Sequence, residues 1–246
     1  MMGNLFKWEM KRTLTSKYFW LTGAALVVLP VTFLILTLFF SNDYTGYGAF
    51  IEGLNNYNAF VIFLIGVFAG IHVTGAFEGR KIQSAVMAGN SRFNILLAKF
   101  LSFITSVGIF SLASITVSSS IAFAMLGING LEGSFGRVII GRAVLFIFVE
   151  MAYSAICFLA SMFIRHLGAA IGLNLGLMLI SNIAAQILFN FEWSANLLRY
   201  TSAGQSMLVL ADMSNSNILM ALASIVISFA AVVALSYVKF RREELK

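Results

Sequence analysis

Long apolar stretches separated by short polar or charged clusters run through most of the chain. A helix of about 20 apolar residues crosses a hydrocarbon core about 30 Å thick at 1.5 Å rise per residue. It also satisfies its own backbone groups where no water is present. Six stretches reach that length: Phe19–Phe40, Asn58–Phe77, Phe100–Leu126, Val138–Ile164, Leu167–Phe189 and Ser216–Val238. The fourth and fifth are separated by little more than Arg165 and His166, which predicts a tight helical hairpin. The pattern therefore predicts an all-α integral membrane protein, a single transmembrane domain of six helices over residues 1–246.

The segments between the spans carry patterns of their own. Near the amino terminus, Met2, Leu5, Phe6, Met10 and Leu14 recur at three- and four-residue spacing, opposite Lys7, Lys11 and Arg12. This predicts an amphipathic helix over residues 1–18, lying in the membrane interface. The apolar run that follows is longer than a secretory signal's roughly 7–15 residues, and Leu38, Phe39 and Phe40 give no small-residue cleavage site, so an uncleaved anchor is expected. Between spans two and three, residues 78–95 concentrate charge at their ends. Ile82, Ala85, Val86 and Gly89 can share one helical face, with Gly79 and Gly89 placed to bend the chain. This segment is either an ordinary connecting loop or a short helix along the membrane that offers a docking surface. Residues 190–215 hold Trp193, Leu197, Leu198, Tyr200, Met207, Leu208 and Leu210, too apolar for a free loop. They are expected to form interfacial or re-entrant helices.

Composition agrees with the pattern. The chain is 60% hydrophobic and 11% charged, against about 45–50% and about 25% in soluble domains. The net charge of +6 acquires meaning from its distribution. If both termini are cytoplasmic, that side holds Lys7, Lys11, Arg12, Lys17, Arg80, Lys81, Arg92, Lys99, Arg165, Lys239, Arg241, Arg242 and Lys246, 13 of the 16 basic residues. This bias predicts cytoplasmic termini and makes the positive charge a record of topology rather than of nucleic-acid binding. Cys157 alone forms no intrachain disulfide, and with His72 and His166 it makes a poor metal set. No Lys follows a Gly, so no phosphate-binding P-loop is present, and neither a His-Glu-x-x-His nor a Gly-x-Ser-x-Gly motif occurs. The chain is therefore expected to be no enzyme and to bind no cofactor of its own.

Two segments together look like the type-two permeases of ATP-binding-cassette (ABC) exporters. The basic amphipathic opening, which ends at Ser16, Lys17, Tyr18, Phe19 and Trp20, resembles that family's elbow helix. Residues 77–99 resemble its coupling region, in which an acidic residue and Gly end span two, a short helix follows, and Ser-Arg then Leu and Lys enter span three. Glu78, Gly79, Ser91, Arg92 and Lys99 match that pattern, whereas Arg80 and Lys81 replace the usual Thr or Ser and Asn90 a common Pro. The resemblance implies two permease copies, a homodimer, each docked to a separate ABC ATPase subunit that holds ATP and magnesium. It also implies force transmission through Glu78, Gly79, Arg80, Lys81, Ile82, Gln83, Ala85, Val86, Ala88, Gly89, Ser91 and Arg92. The expected location is the cytoplasmic membrane of a bacterium, and the expected cargo a hydrophobic or amphipathic substrate, best a peptide toxin or antimicrobial.

Polar groups inside the spans need a reason, since an ionisable side chain costs at least about 2.5–3.5 kcal/mol at the bilayer centre. Glu150 sits near the middle of span four; it is protonated, bonded to another span or lining a wet cavity. Arg142 lies eight residues earlier, about 12 Å along the axis and about 80° around it, too far for a direct pair; it can snorkel to the outer interface. Glu150, Arg142 and Asn182 are the candidate substrate-pathway residues. His72 is expected to be hydrogen-bonded packing, and Asn174, Asn182 and Gln186 interhelical glue. Gly168, Gly172 and Gly176 form a small-residue ridge on span five, and Ser111, Ser114 and Ser118 one on span three. A proton-coupled secondary transporter or channel using Glu150 is the alternative to the ABC reading, and a non-transporting scaffold the third class.

Overall fold

In the computed structural model six helices are long and apolar enough to cross a membrane: Lys17–Phe40, Gly46–Phe77, Arg92–Leu126, Val138–Phe163, Leu167–Leu188 and Asn215–Arg241, hereafter spans one to six. Residues 2–40, 43–78, 86, 87, 89–130, 134 and 136–242 are described, and no strand occurs among them. The chain is an all-α multi-pass membrane protein. The helices Met2–Leu14, Glu192–Leu198 and Ser202–Ala211 lie outside the spans.

Two spans start well before their apolar runs. Span two begins at Gly46 rather than Asn58, because Thr45 caps it, its side chain accepting from the Gly48 amide at 3.0 Å. Ala49, Phe50, Gly53, Leu54 and Tyr57 then bury one face of the added turns, while Glu52 and Asn55, which dilute the apolar pattern, take the other, less buried positions. Span three likewise starts at Arg92 rather than Phe100, with the Ser91 hydroxyl accepting from the Asn94 amide at 3.3 Å. Such caps are each worth about 1 kcal/mol.

Burial sorts the spans into two layers. In the most apolar windows of spans two, three and four, 56, 67 and 61% of residues are buried, against 22, 17 and 22% in spans one, five and six. The first three therefore form the centre of the bundle. Span one packs on two and three, span five on two and four, span six on four and three. The abundance of Phe serves this centre: Phe68 of span two lies 5.8 Å from Phe103 and 5.3 Å from Phe110 of span three, and Phe103 lies 5.7 Å from Phe158 of span four. Ring pairs at such distances add about 0.5–1.5 kcal/mol beyond the area they bury.

Small residues set how close the helices come. A Cβ on Gly53 would stand 3.1 Å from Ser118, so the serine ridge of span three faces span two. The glycine ridge of span five behaves differently: a Cβ at Gly168, Gly172 or Gly176 would meet nothing within 4 Å. Close approach of span five uses glycines of span two instead. A Cβ on Gly66 would lie 3.2 Å from Asn174, and one on Gly70 would lie 2.8 Å from Ile171. At Gly70–Thr74 span two widens into a π turn carrying His72, a local feature frequent at functional sites.

Candidate functional site

The amino-terminal helix and the end of span six both attach to the start of span three at one end of the bundle, here the terminal end. The amino-terminal helix buries Glu9 and Thr13 against span three, with Met2, Leu5, Phe6 and Met10 half-buried beside them and Lys7 and Lys11 exposed. Leu14, expected on the apolar face, is exposed because the buried face is centred on Glu9 and Thr13, and Leu14, one residue after Thr13, points about 100° round the helix from it. The Glu9 carboxylate receives Arg12 at 2.8 Å and Lys99 of span three at 3.7 Å. Lys99 is only 2% exposed along its side chain, so this pair is screened little by solvent. Glu9 escaped the sequence reading, although its three- and four-residue offset from Leu5, Phe6 and Thr13 was the available signal.

A second tie lies beside it. Arg92, the first residue of span three, donates through Nη1 to the carbonyls of Phe240 and Arg241, both at 3.1 Å. These carbonyls belong to the last turn of the helix Asn215–Arg242, and a cation there complements the helix dipole. Thus the start of span three is bonded to the end of span six and to the amino-terminal helix. The segment expected to dock a partner enters at this junction. Glu78 is the last described residue of the helix Gly75–Glu78, Val86 packs half-buried against the core, and Gly89 makes the expected bend at φ +81°. That value favours glycine, and its amide donates to the Val86 carbonyl at 2.9 Å. Gly79, Arg80, Lys81, Ile82, Gln83, Ala85 and Ala88 lie outside the described residues.

The three expected pathway residues do not come together. Arg142 donates to the Leu210 carbonyl at 2.7 Å and its guanidinium lies 5.6 Å from the Tyr47 ring, which pins the helix Ser202–Ala211 to spans two and four. Asn182 is half-buried on span five and accepts from Gln186 one turn later at 2.7 Å, within its own helix. Glu150 alone is in the centre, completely buried, and neither carboxyl oxygen has a hydrogen-bond partner among the described residues. Tyr57 of span two and Tyr153 of span four lie within its electrostatic reach. Tyr57 shares a 2.8 Å hydrogen bond with Ser111, and Tyr153 one of 2.8 Å with Ser181. Ser154, one turn after Glu150, is buried with its hydroxyl unbonded. Buried polar groups are normally paired, so this seam between spans two, three and four is where the core departs from plain packing.

Other polar residues hold helices together. Asn174 donates to the Gly66 carbonyl at 3.0 Å and to Ser161 Oγ at 2.8 Å, joining spans five, two and four. His72 Nε2 lies 3.1 Å from Ser102 Oγ, and its ring stacks 5.5 Å from Phe68. At the opposite end of the bundle, Asp212 receives the Ser214 hydroxyl and amide, each at 2.8 Å, opening span six. Those bonds hold its carboxyl below the usual carboxylate range. No family model and no curated protein matches this chain.

Proposed function

We propose that the chain is the membrane-spanning permease subunit of an ATP-driven exporter, working with a separate ATPase subunit. One observation carries this reading: the junction after residues 78–92 is bonded at once to the amino-terminal helix, through Glu9 and Lys99, and to span six, through Arg92. A push on that segment would move the start of span three, the end of span six and the amino-terminal helix as one body. ATP and magnesium would stay in the partner, and the terminal end, which gathers the basic residues, would face the cytoplasm. The cargo best suited to the Phe-rich spans is a hydrophobic or amphipathic peptide, carried by a pair of permease copies. Affinity capture of the tagged chain from its native membrane tests the reading. A stoichiometric P-loop ATPase, lost when residues 82–88 are disrupted in correctly inserted protein, supports it; capture of the chain alone, without ATPase activity, overturns it.

Glu150 supports a second reading, a proton-coupled carrier working alone. A completely buried carboxyl in the central seam, with no hydrogen-bond partner among the described residues, is the group such a cycle needs. Transport that collapses with the proton gradient, and is abolished by Glu150→Gln, would favour it over the first.

A further inference from the structure

Beside the Glu9 ion pairs the structure leaves a recess of about 730 Å³ between the amino-terminal helix, the π turn of span two and the start of span five. This is within the range of small-molecule sites, about 300–1,000 Å³. Arg12, Ser16 and His72 are among its polar lining, and Phe68, Leu167 and Ile171 among its apolar walls. A shallower groove of about 620 Å³ shares Ser16 and Tyr18 with it and adds Lys17, Trp20 and Leu21.

We propose that this recess binds the headgroup of an anionic phospholipid from the leaflet at the terminal end. The charge arrangement favours an anion: Arg12 lines the recess and Lys17 the groove that adjoins it, two cations whose side chains reach the same opening. Glu9 engages Nη2 of Arg12, one nitrogen of a fork that carries five N–H donors suited to phosphate. The depth agrees with a headgroup. His72 lies five residues before Phe77, the end of span two, so the recess opens near the end of the spans rather than at their middle, where headgroups are found. Trp20 and Leu21 are 65% and 71% exposed in the adjoining groove and offer an apolar surface to the chains, while Trp and Tyr belong at that depth. A phosphate without acyl chains would leave Trp20 and Leu21 of the adjoining groove uncovered. The proposal requires a membrane at this end of the bundle and does not depend on an ATPase partner.

The test uses the full chain, purified and delipidated in detergent, titrated with dioleoyl-phosphatidylglycerol or dioleoyl-phosphatidylcholine and read by native mass spectrometry. One phosphatidylglycerol should bind about tenfold more tightly than phosphatidylcholine, since each basic residue contributes appreciably to anionic-lipid binding. Arg12→Gln with Lys17→Gln should erase the preference, whereas Lys239→Gln, a cation placed over Phe163, should keep it. Because loss of Arg12 also disturbs Glu9, Gly75→Leu provides an independent variant. Gly75 lines the recess in right-handed helical conformation, and a Cβ there meets nothing within 4 Å, so the side chain fills the site while the charges remain. It too should lower phosphatidylglycerol binding to the phosphatidylcholine level. Equal affinity for the two lipids in the wild type, or a preference that survives both variants, would overturn the proposal. Displacement of phosphatidylglycerol by micromolar sn-glycerol 3-phosphate would overturn it too, assigning the recess to a water-soluble phosphate.

Discussion

Glu9 and Lys99 show how one residue pair joins a peripheral helix to the bundle. Both side chains are buried, so the pair is screened little by solvent, and removing Glu9 takes an anion away from two cations, Arg12 and Lys99. Glu9→Ala should therefore lower the thermal midpoint in detergent sharply. Glu9→Ala with Lys99→Met should cost less than the sum of the single changes; additive costs would show that the pair is not coupled. Asn174 operates on a smaller scale. Asn174→Leu removes its bonds to Gly66 and Ser161 and should cost about 1 kcal/mol by the same measurement. An unchanged midpoint would mean that these bonds contribute nothing net. Glu150 differs from both, since it has no hydrogen-bond partner among the described residues to lose.

At the scale of the helices, the small residues of span two and those of span five have opposite consequences. Gly70→Ala forces its Cβ against Ile171 and should destabilise by about 1–3 kcal/mol, because packed interiors yield little. Gly172→Ala meets open space and should stay within about 0.5 kcal/mol of the wild type; the reverse order of melting temperatures would contradict this packing. The start of span six is sensitive to pH. Asp212 has its carboxyl lowered by Ser214, so its contribution is complete above the ordinary carboxylate range and is lost as pH falls through the lowered value. Hydrogen exchange at residues 214–218 should accelerate on acidification in the wild type and be pH-insensitive, after correction for intrinsic rates, in Asp212→Asn. Equal pH dependence in the two proteins would remove Asp212 as the cause.

For the whole molecule, six spans place both termini on one side of the membrane and the connection that includes Ser134 on the other. In a Cys157→Ala background, cysteines introduced at Asn4 and at Ser134 should react with a membrane-impermeant maleimide from opposite faces of sealed vesicles. Labelling of both from the same face would refute the six-span topology. The two-layer bundle also leaves broad apolar faces on spans one, five and six, as a protein solvated by lipid requires.

The linear order of residues was enough for the class, the number of spans and the helical amino terminus, because bilayer thickness turns apolar length directly into span count. It also marked the bend at Gly89 and the role of Asn174, since a positive φ and a buried amide each restrict the residue that can serve. It missed the early starts of spans two and three: Glu52, Asn55 and Asn94 interrupt the apolar runs, while the caps at Thr45 and Ser91 and burial of one face keep the helix continuous. Nor could spacing along one helix tell that Arg142 bonds Leu210, that the glycine ridge of span five faces no other span of the chain, or that Glu9 meets Lys99. Those outcomes depend on how each helix is rotated against its neighbours. That rotation is fixed by the joint packing of side chains on several helices, which no single stretch of sequence contains.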